Sequence, residues 1–253
     1  MLRKVLLLIF ILFGSYSISK AQSYTADTAI SALIPNFAYS YQFSGGDIAK
    51  TFGDNSTIGG GLLYKTKKNF LYSLDVNFIF GNTIKGADQI LSMVLNSQGY
   101  IIDGNGTYAL YSMYERGYTL NFRVGKIFNV LSPNPNSGLM IMAGAGYINH
   151  RLVIDNQFRT APQISDDYAK GYDRLHGGIA LNQFIGYFYM GKTRMLNFYG
   201  GFEFVQGFTK SQRDYVFDLQ KKDTDSKLDL FFGIRVGWMI PIRKRAANKY
   251  YYY

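Results

Sequence analysis

Two histidines and a group of loop acids are the residues of this sequence whose types could perform hydrolysis. A histidine that activates a serine or positions a carboxylate can drive acyl transfer. His150 and His176 stand at the two ends of one long polar segment, and that segment also contains Ser165, Asp166, Asp167 and Asp173. Their spacing matches no nucleophile motif, and Ser and Asp are common in surface turns. A loop-based hydrolase or acyltransferase therefore stays a minority hypothesis, and we predict no catalytic residue.

A second set of charged residues lies inside segments that are otherwise apolar on alternate positions. The set consists of Asp75, Arg123, Glu203, Asp229 and Arg235. A buried charge without a partner is costly, so we expect these residues to pair with one another. We predict that this lumen charge cluster is structural. A gated path for protons or ions is the alternative.

The sequence carries no pattern typical of a cofactor or metal site. It has no cysteine, which excludes thiolate ligands and a disulfide framework. It also lacks a glycine-rich phosphate loop and the usual spacing of metal ligands. We predict no bound cofactor and no metal.

The N-terminus has the features of an export signal. Arg3 and Lys4 precede an apolar run over residues 5–13, and Ser19 and Ala21 provide the small residues that signal peptidase prefers. Nine apolar residues are too few to span a bilayer, which takes roughly 20. We predict a signal peptide over residues 1–21, a folded domain over 22–242 and a basic, tyrosine-rich tail over 243–253.

Alternation with a period of two is the main structural signal of the remaining chain. Phe70, Tyr72 and Leu74 share one face of a segment whose other face carries Ser73 and Asp75. The same pattern recurs often enough to predict eight strands. They cover about residues 36–43, 57–64, 70–80, 118–128, 139–147, 179–189, 196–204 and 228–240.

The connections between these strands alternate in length. Short ones cover about residues 65–69, 129–138 and 190–194, and long polar ones cover 44–56, 81–117, 149–178 and 209–226. Short turns at one end and long loops at the other are typical of transmembrane barrels. The predicted fold is all-β, an eight-stranded antiparallel up-and-down transmembrane β-barrel. A soluble β-sandwich is the competing fold.

The sixth predicted strand has an ambiguous facing. Gln183 falls in phase with Leu181, Ile185 and Tyr187, which are apolar or aromatic. We predict that a β-bulge resolves the conflict.

One long loop contains a possible helix. Ile90, Leu91, Val94 and Leu95 are spaced for a short amphipathic helix over residues 87–96. Such a helix would lie across the mouth of the barrel. Packing of the loop on itself is the simpler interpretation, and a plug or a partner-docking surface is the functional one.

Basic residues concentrate at the predicted periplasmic end. The chain has 27 Lys and Arg residues against 17 acidic ones. The predicted periplasmic basic rim comprises Lys65, Lys67, Lys68, Lys126, Lys192, Arg194, Arg243, Lys244, Arg245 and Lys249. Such a rim suits anionic lipid head groups or an acidic partner. It serves equally well as a solvated end that fixes orientation.

The signal peptide, the eight amphipathic strands and the last strand together resemble the OmpX-like and PorT-like outer-membrane barrels of Gram-negative bacteria. The resemblance covers residues 31–242. It implies that the final strand, residues 233–240 with Trp238, is read by the barrel-assembly machinery. Those proteins usually end on an aromatic residue of the last strand. Here residues 243–253 follow it, and they finish with Tyr250 to Tyr253.

Three functional hypotheses follow. The first is a non-enzymatic, integral outer-membrane barrel that acts as a binding or accessory subunit of an envelope complex through external loops or the basic rim. The second is a purely structural barrel, and the third is the loop-based enzyme. The expected contacts are outer-membrane lipids, an envelope protein partner and the assembly machinery. Nucleic acid is not expected, because the chain is exported.

Overall fold

Eight long strands account for most of the residues that the structure describes. The computed structural model describes residues 28–191 and 195–242. The strands are β1 Ala32–Gly46, β2 Asn55–Lys65, β3 Phe70–Gly81, β4 Tyr111–Phe128, β5 Gly138–Asn156, β6 His176–Met190, β7 Asn197–Ser211 and β8 Ser226–Met239. The predicted signal peptide and the tail over 243–253 lie outside the described residues.

The sheet closes on itself. Each strand pairs antiparallel with the next along the chain, and β1 also pairs with β8. Phe37, for example, lies opposite Gly60 on β2 and Trp238 on β8. Closure leaves no unpaired strand edge, which is the condition for a sheet in hydrocarbon. The eight-stranded antiparallel barrel predicted from the sequence is confirmed.

The strands continue beyond the segments that the apolar pattern marked. β4 begins at Tyr111, seven residues before the predicted start, and β5 runs on to Asn156. In this extension Glu115 lies opposite Leu152, and Arg116 lies opposite Arg151. Mixed polar pairs of this kind do not alternate in hydropathy, yet their backbones still form a ladder. The sequence therefore predicted the apolar parts of the strands and missed their polar ends.

The bulge predicted in β6 is wrong. The pairing of β6 with β5 and with β7 is continuous along the strand. Gln183 stays in phase with exposed Leu181 and Ile185, so its side chain faces outward. Its amide exchanges two hydrogen bonds with Gln206 of β7, which gives the polar group a partner on the outer surface.

Large apolar side chains cover the outside of the barrel, and polar side chains fill the inside. Phe37 is 64% exposed and Ile179 is 65% exposed, whereas Ser40 and Asp75 are at most 1% exposed. This arrangement reverses that of a soluble sandwich, in which large apolar residues face a core. The outward surface forms an apolar belt around the ring.

Two apolar clusters close the interior at its ends. Near the short turns, Ile34, Phe184 and Met239 belong to one cluster of buried side chains. Near the long loops, a second cluster joins strand residues such as Ile148 to loop residues such as Phe52. Charged and amide side chains lie between them. An eight-stranded barrel is just wide enough for such filling.

Short helices occur only in the loops of the described residues. The helix predicted over residues 87–96 is shorter than expected: α1 covers only Ala87–Ile90, and turns follow it. A second short helix, α2, covers Asp166–Ala169. Within residues 28–191 and 195–242, no helix has both the length and the apolar character needed to cross a membrane.

Candidate functional site

Four of the five predicted lumen charges form one network at mid-barrel. Arg123 places one terminal nitrogen 2.7 Å from Asp75 and the other 3.1 Å from Glu203. Arg235 bridges the same two acids, at 3.3 Å from Glu203 and 3.7 Å from Asp75. We call these four residues the central charge cluster. Two positive and two negative charges balance, as the cost of burying charge requires.

Neutral polar side chains make further hydrogen bonds to the central charge cluster, although Arg123 Nε stays buried without a partner among the described residues. Arg235 donates to Asn77 Oδ1 at 2.9 Å, and Ser40 donates to Glu203 Oε2 at 3.1 Å. Ser73 donates to Asp75 Oδ1 at 3.1 Å. These contacts come from β1, β3, β7 and β8, so the network ties opposite walls of the barrel together. The network therefore stabilises the barrel from inside.

Asp229 does not join this cluster, which corrects the sequence prediction. It faces inward from β8 but lies six residues from Arg235, about 20 Å along a strand. Its carboxylate instead lies 2.9 Å from His150 Nε2 and accepts a hydrogen bond from Thr209 at 2.5 Å. Inward phase alone could not reveal this difference in depth.

The two histidines meet near the long-loop end. Their rings stack with centroids 5.7 Å apart and planes 11° apart. His176 donates from Nδ1 to the carbonyl of Arg174, and its Nε2 lies 3.5 Å from Asp223. We call His150, His176, Asp223 and Asp229 the outer histidine site. Asp223 belongs to the β7–β8 loop, and no pattern in the sequence indicates its role.

The hydroxyl and acids of the enzymatic hypothesis are engaged elsewhere. Ser165 donates to the carbonyl of Ala161 and accepts from Asn156. Asp167 pairs with Lys170, and Asp173 pairs with Arg213. Asp166 begins α2 and has a left-handed backbone. None of these contacts joins a nucleophile to a histidine, so the described residues do not assemble the site that the loop spacing allowed.

Above the outer histidine site, apolar residues from the long loops fill the mouth. Ile90 and Leu91 are buried, although the helix that was expected to carry them is short. Ile101 joins them from the same β3–β4 loop, Phe52 from the β1–β2 loop and Tyr172 from the β5–β6 loop. We call this set of loop residues the cap. The sequence pattern found Ile90 and Leu91, together with Val94 and Leu95, which are half-buried against the same cluster. It missed the others, because single apolar residues in polar loops have no period.

The outside of the cap exposes aromatic and apolar side chains. Tyr100 and Tyr108 stack with ring centroids 4.6 Å apart. Met93, Phe158 and Tyr168 are each more than half exposed. Large exposed aromatic residues are enriched where proteins bind one another. We call these five residues the cap surface.

Only some residues of the predicted basic rim are exposed at the short-turn end of the barrel. Lys67 and Lys68 are exposed in the β2–β3 turn, as expected. Lys65 is fully buried, because it points inward at the end of β2 and donates to Asn136 Oδ1 at 2.9 Å and to the carbonyl of Ile30 at 3.0 Å. Lys126 lies on the outer face over the rings of Phe70 and Phe128. The rest of the rim lies outside the described residues, namely Lys192, Arg194, Arg243, Lys244, Arg245 and Lys249.

Metal binding finds no support in the part of the chain that the structure describes. No group of three or more His, Cys, Asp or Glu side chains there could hold a metal ion. In the outer histidine site the two imidazole rings lie parallel, and the His150 ring already contacts the carboxylate of Asp229.

Comparison with known proteins gives structural likeness alone. No family model and no curated protein matches the chain. Neisserial surface protein A is similar at a TM-score of 0.46 and 10% identity, over 83% of this chain and 97% of that one. Ail of Yersinia pestis, solved with the heparin analogue sucrose octasulfate, gives 0.42 and 9%, over 83% and 99%. The outer membrane protein OprG of Pseudomonas aeruginosa gives 0.36 and 14%, over 85% and 98%. The closed ring of eight antiparallel strands in this chain is the architecture of the small outer-membrane β-barrels.

Proposed function

We propose that this chain is an integral outer-membrane barrel that does not conduct solutes and that binds an envelope protein through its cap surface. The observation that carries the proposal is the apolar belt, since every strand directs large apolar side chains outward around a closed ring. Water would penalise so much contiguous apolar surface, whereas hydrocarbon accepts it. In this setting the long loops face the outside of the cell.

The filled interior supports a role other than transport. Apolar clusters occupy both ends, and the central charge cluster lies between them with its charges paired. A solute would have to displace buried side chains at three levels. Single-channel recording in a planar bilayer is expected to give no stable open state. A steady conductance would contradict this part of the proposal.

The cap surface supports the binding role. The buried cap holds the loops from beneath, while Tyr100 and Tyr108 remain exposed above it. A surface that is already ordered loses less conformational entropy on binding. The partner we infer is a protein of the envelope, because stacked aromatic rings suit a protein surface better than a free small solute.

Extraction in mild detergent tests the proposal. We expect the protein in the outer-membrane fraction, with a faster gel band before boiling than after it, and with a partner in constant ratio. The double variant Tyr100→Ser, Tyr108→Ser should lose the partner and keep the mobility shift. The matched control Leu219→Ser, in the β7–β8 loop, should keep both.

A purely structural barrel is the second candidate function. The balanced central charge cluster favours it, because that cluster ties opposite walls together and needs no ligand. A heat-modifiable protein without any constant partner would support this candidate and reject the binding role.

A further inference from the structure

Two glutamines face outward in the middle of the apolar belt. Gln183 of β6 follows exposed Leu181, and Gln206 of β7 lies between Phe204 and Phe208. Gln183 donates to Gln206 Oε1 at 3.2 Å, and Gln206 donates to Gln183 Oε1 at 3.1 Å. Between the aromatic ends of the strands, the described residues place no other amide side chain on the outer face.

The reciprocal pair satisfies only half of its donors. Each carboxamide has two N–H groups and an oxygen with two lone pairs. The contact between Gln183 and Gln206 uses one N–H from each side chain, and neither side chain makes a further hydrogen bond to any residue that the structure describes. Hydrocarbon offers no partner to the second N–H, so leaving it there is unfavourable. The pair therefore retains hydrogen-bonding capacity on the lipid-facing surface.

Small neighbours on β5 leave the Gln183–Gln206 pair accessible from that side, whereas Phe204 lies opposite Gln183 on β7. Ala143 of β5 lies directly opposite Gln183, and Ala145 lies opposite Leu181. Both alanines are exposed on the outer face. Small residues allow close approach of another protein in a membrane, and polar residues stabilise such contacts. The two features coincide at the β5–β7 wall.

We propose that a second copy of this chain binds this wall, with the Gln183–Gln206 pair at the centre of a two-fold interface. A copy related by an axis along the membrane normal presents the same pair at the same depth. An amide is both donor and acceptor, so the pair is complementary to itself. The inference rests on the proposed membrane setting and adds an oligomeric contact to it.

Single cysteines test the contact cleanly, because the chain has none of its own. Leu181→Cys places a thiol beside the pair, and the matched control Leu74→Cys places one on β3, four strands away from β7. Mild oxidation of intact outer membranes should crosslink the first variant to a dimer and leave the second monomeric. Equal crosslinking of both variants, no crosslinking of the first, or crosslinking to a band of another mass would overturn the proposal.

Removal of the amides tests their part in the contact. In the Leu181→Cys background, the changes Gln183→Leu and Gln206→Leu together should reduce dimer formation at least fivefold, whereas Phe202→Leu should not. Undiminished crosslinking without the amides would refute the assigned interface. Each variant is also run before and after boiling. A retained mobility shift with no dimer rejects only this interface, whereas loss of the shift from the unmodified protein rejects the membrane barrel itself.

Discussion

Two groups of buried charges lie inside this barrel, and different parts of the chain position them. The central charge cluster is built from strand residues alone, and its two arginines each contact both Asp75 and Glu203. The outer histidine site combines strand residues with Asp223 from a loop, and it lies directly beneath the cap. Strand register determines the first group. The outer histidine site also needs the loops to pack in place, so we expect it to be disturbed more easily than the central charge cluster.

The largest effect should come from breaking the central charge cluster. Arg235→Met removes its contacts to Asp75 and Glu203 and leaves buried carboxylates with one arginine. We expect the free energy of unfolding in lipid vesicles, measured by urea titration, to fall by about 3–5 kcal/mol. Adding Glu203→Gln removes the uncompensated charge and should recover part of the loss. A change below about 1 kcal/mol would mean that the network does not brace the barrel.

A smaller loss is expected at the outer histidine site. Asp229→Asn replaces the carboxylate that lies 2.9 Å from His150 and that accepts from Thr209. Hydrogen bonds to a charged group contribute about 1.5–3 kcal/mol, so the same titration should show a loss in that range. A loss as large as that of Arg235→Met would remove the distinction between the two groups.

Acid should release the β7–β8 loop. Burial alone would raise the pKa of Asp223, but hydrogen bonds from Lys227 and the Asp225 backbone, and the charge of Lys227, lower that pKa below its usual range. The stabilisation is therefore complete above the ordinary aspartate pKa of about 3.9 and is lost as the pH falls through the lower folded value. A spin label on Gln220→Cys should become mobile only in that range.

The matched variant Asp223→Asn separates this carboxylate from general acid unfolding. It removes the titrating group, so the label should lose its sharp response to pH. An unchanged response would show that another group holds the loop.

The smallest effect is expected at the exposed part of the basic rim. Lys67→Ser with Lys68→Ser changes two solvated side chains in a turn, and surface changes of this kind usually stay within about 0.5 kcal/mol. Lys65→Ser, two residues earlier in the chain, should cost about 1–3 kcal/mol, because it removes the donor to the Ile30 carbonyl and one of the donors to Asn136 Oδ1. Equal effects would contradict the buried position of Lys65.

The sequence predicted what depends on the period of a strand. Alternation placed Asp75, Arg123, Glu203 and Arg235 on the inner face, and the structure joins them. Asp229 was grouped with them on phase alone, although the six residues that separate it from Arg235 on the same strand span about 20 Å. Lys65 was assigned to a turn, since the inward phase of a final strand residue cannot be recognised without the register.

Contacts between loops and distant strands were beyond sequence reasoning. Phe52 of the β1–β2 loop contacts His150 of β5, with ring centroids 5.7 Å apart, and nothing in their spacing indicates it. The pairing of Gln183 with Gln206 joins two strands whose register was unknown, so a bulge was predicted where each amide instead has a partner on the neighbouring strand. Periodicity is local, whereas these contacts depend on the closed ring.

Accessibility along β3 tests the central claim, a barrel whose outward residues face lipid. Single spin labels at Leu74→Cys, Val76→Cys and Phe78→Cys should be reached by oxygen dissolved in the bilayer and not by a water-soluble relaxing agent. Labels at Ser73→Cys and Asn77→Cys, which point inward, should be reached far less by oxygen. That alternation is the expected result. Outward labels that respond to the aqueous agent as strongly as loop residues would contradict the membrane barrel.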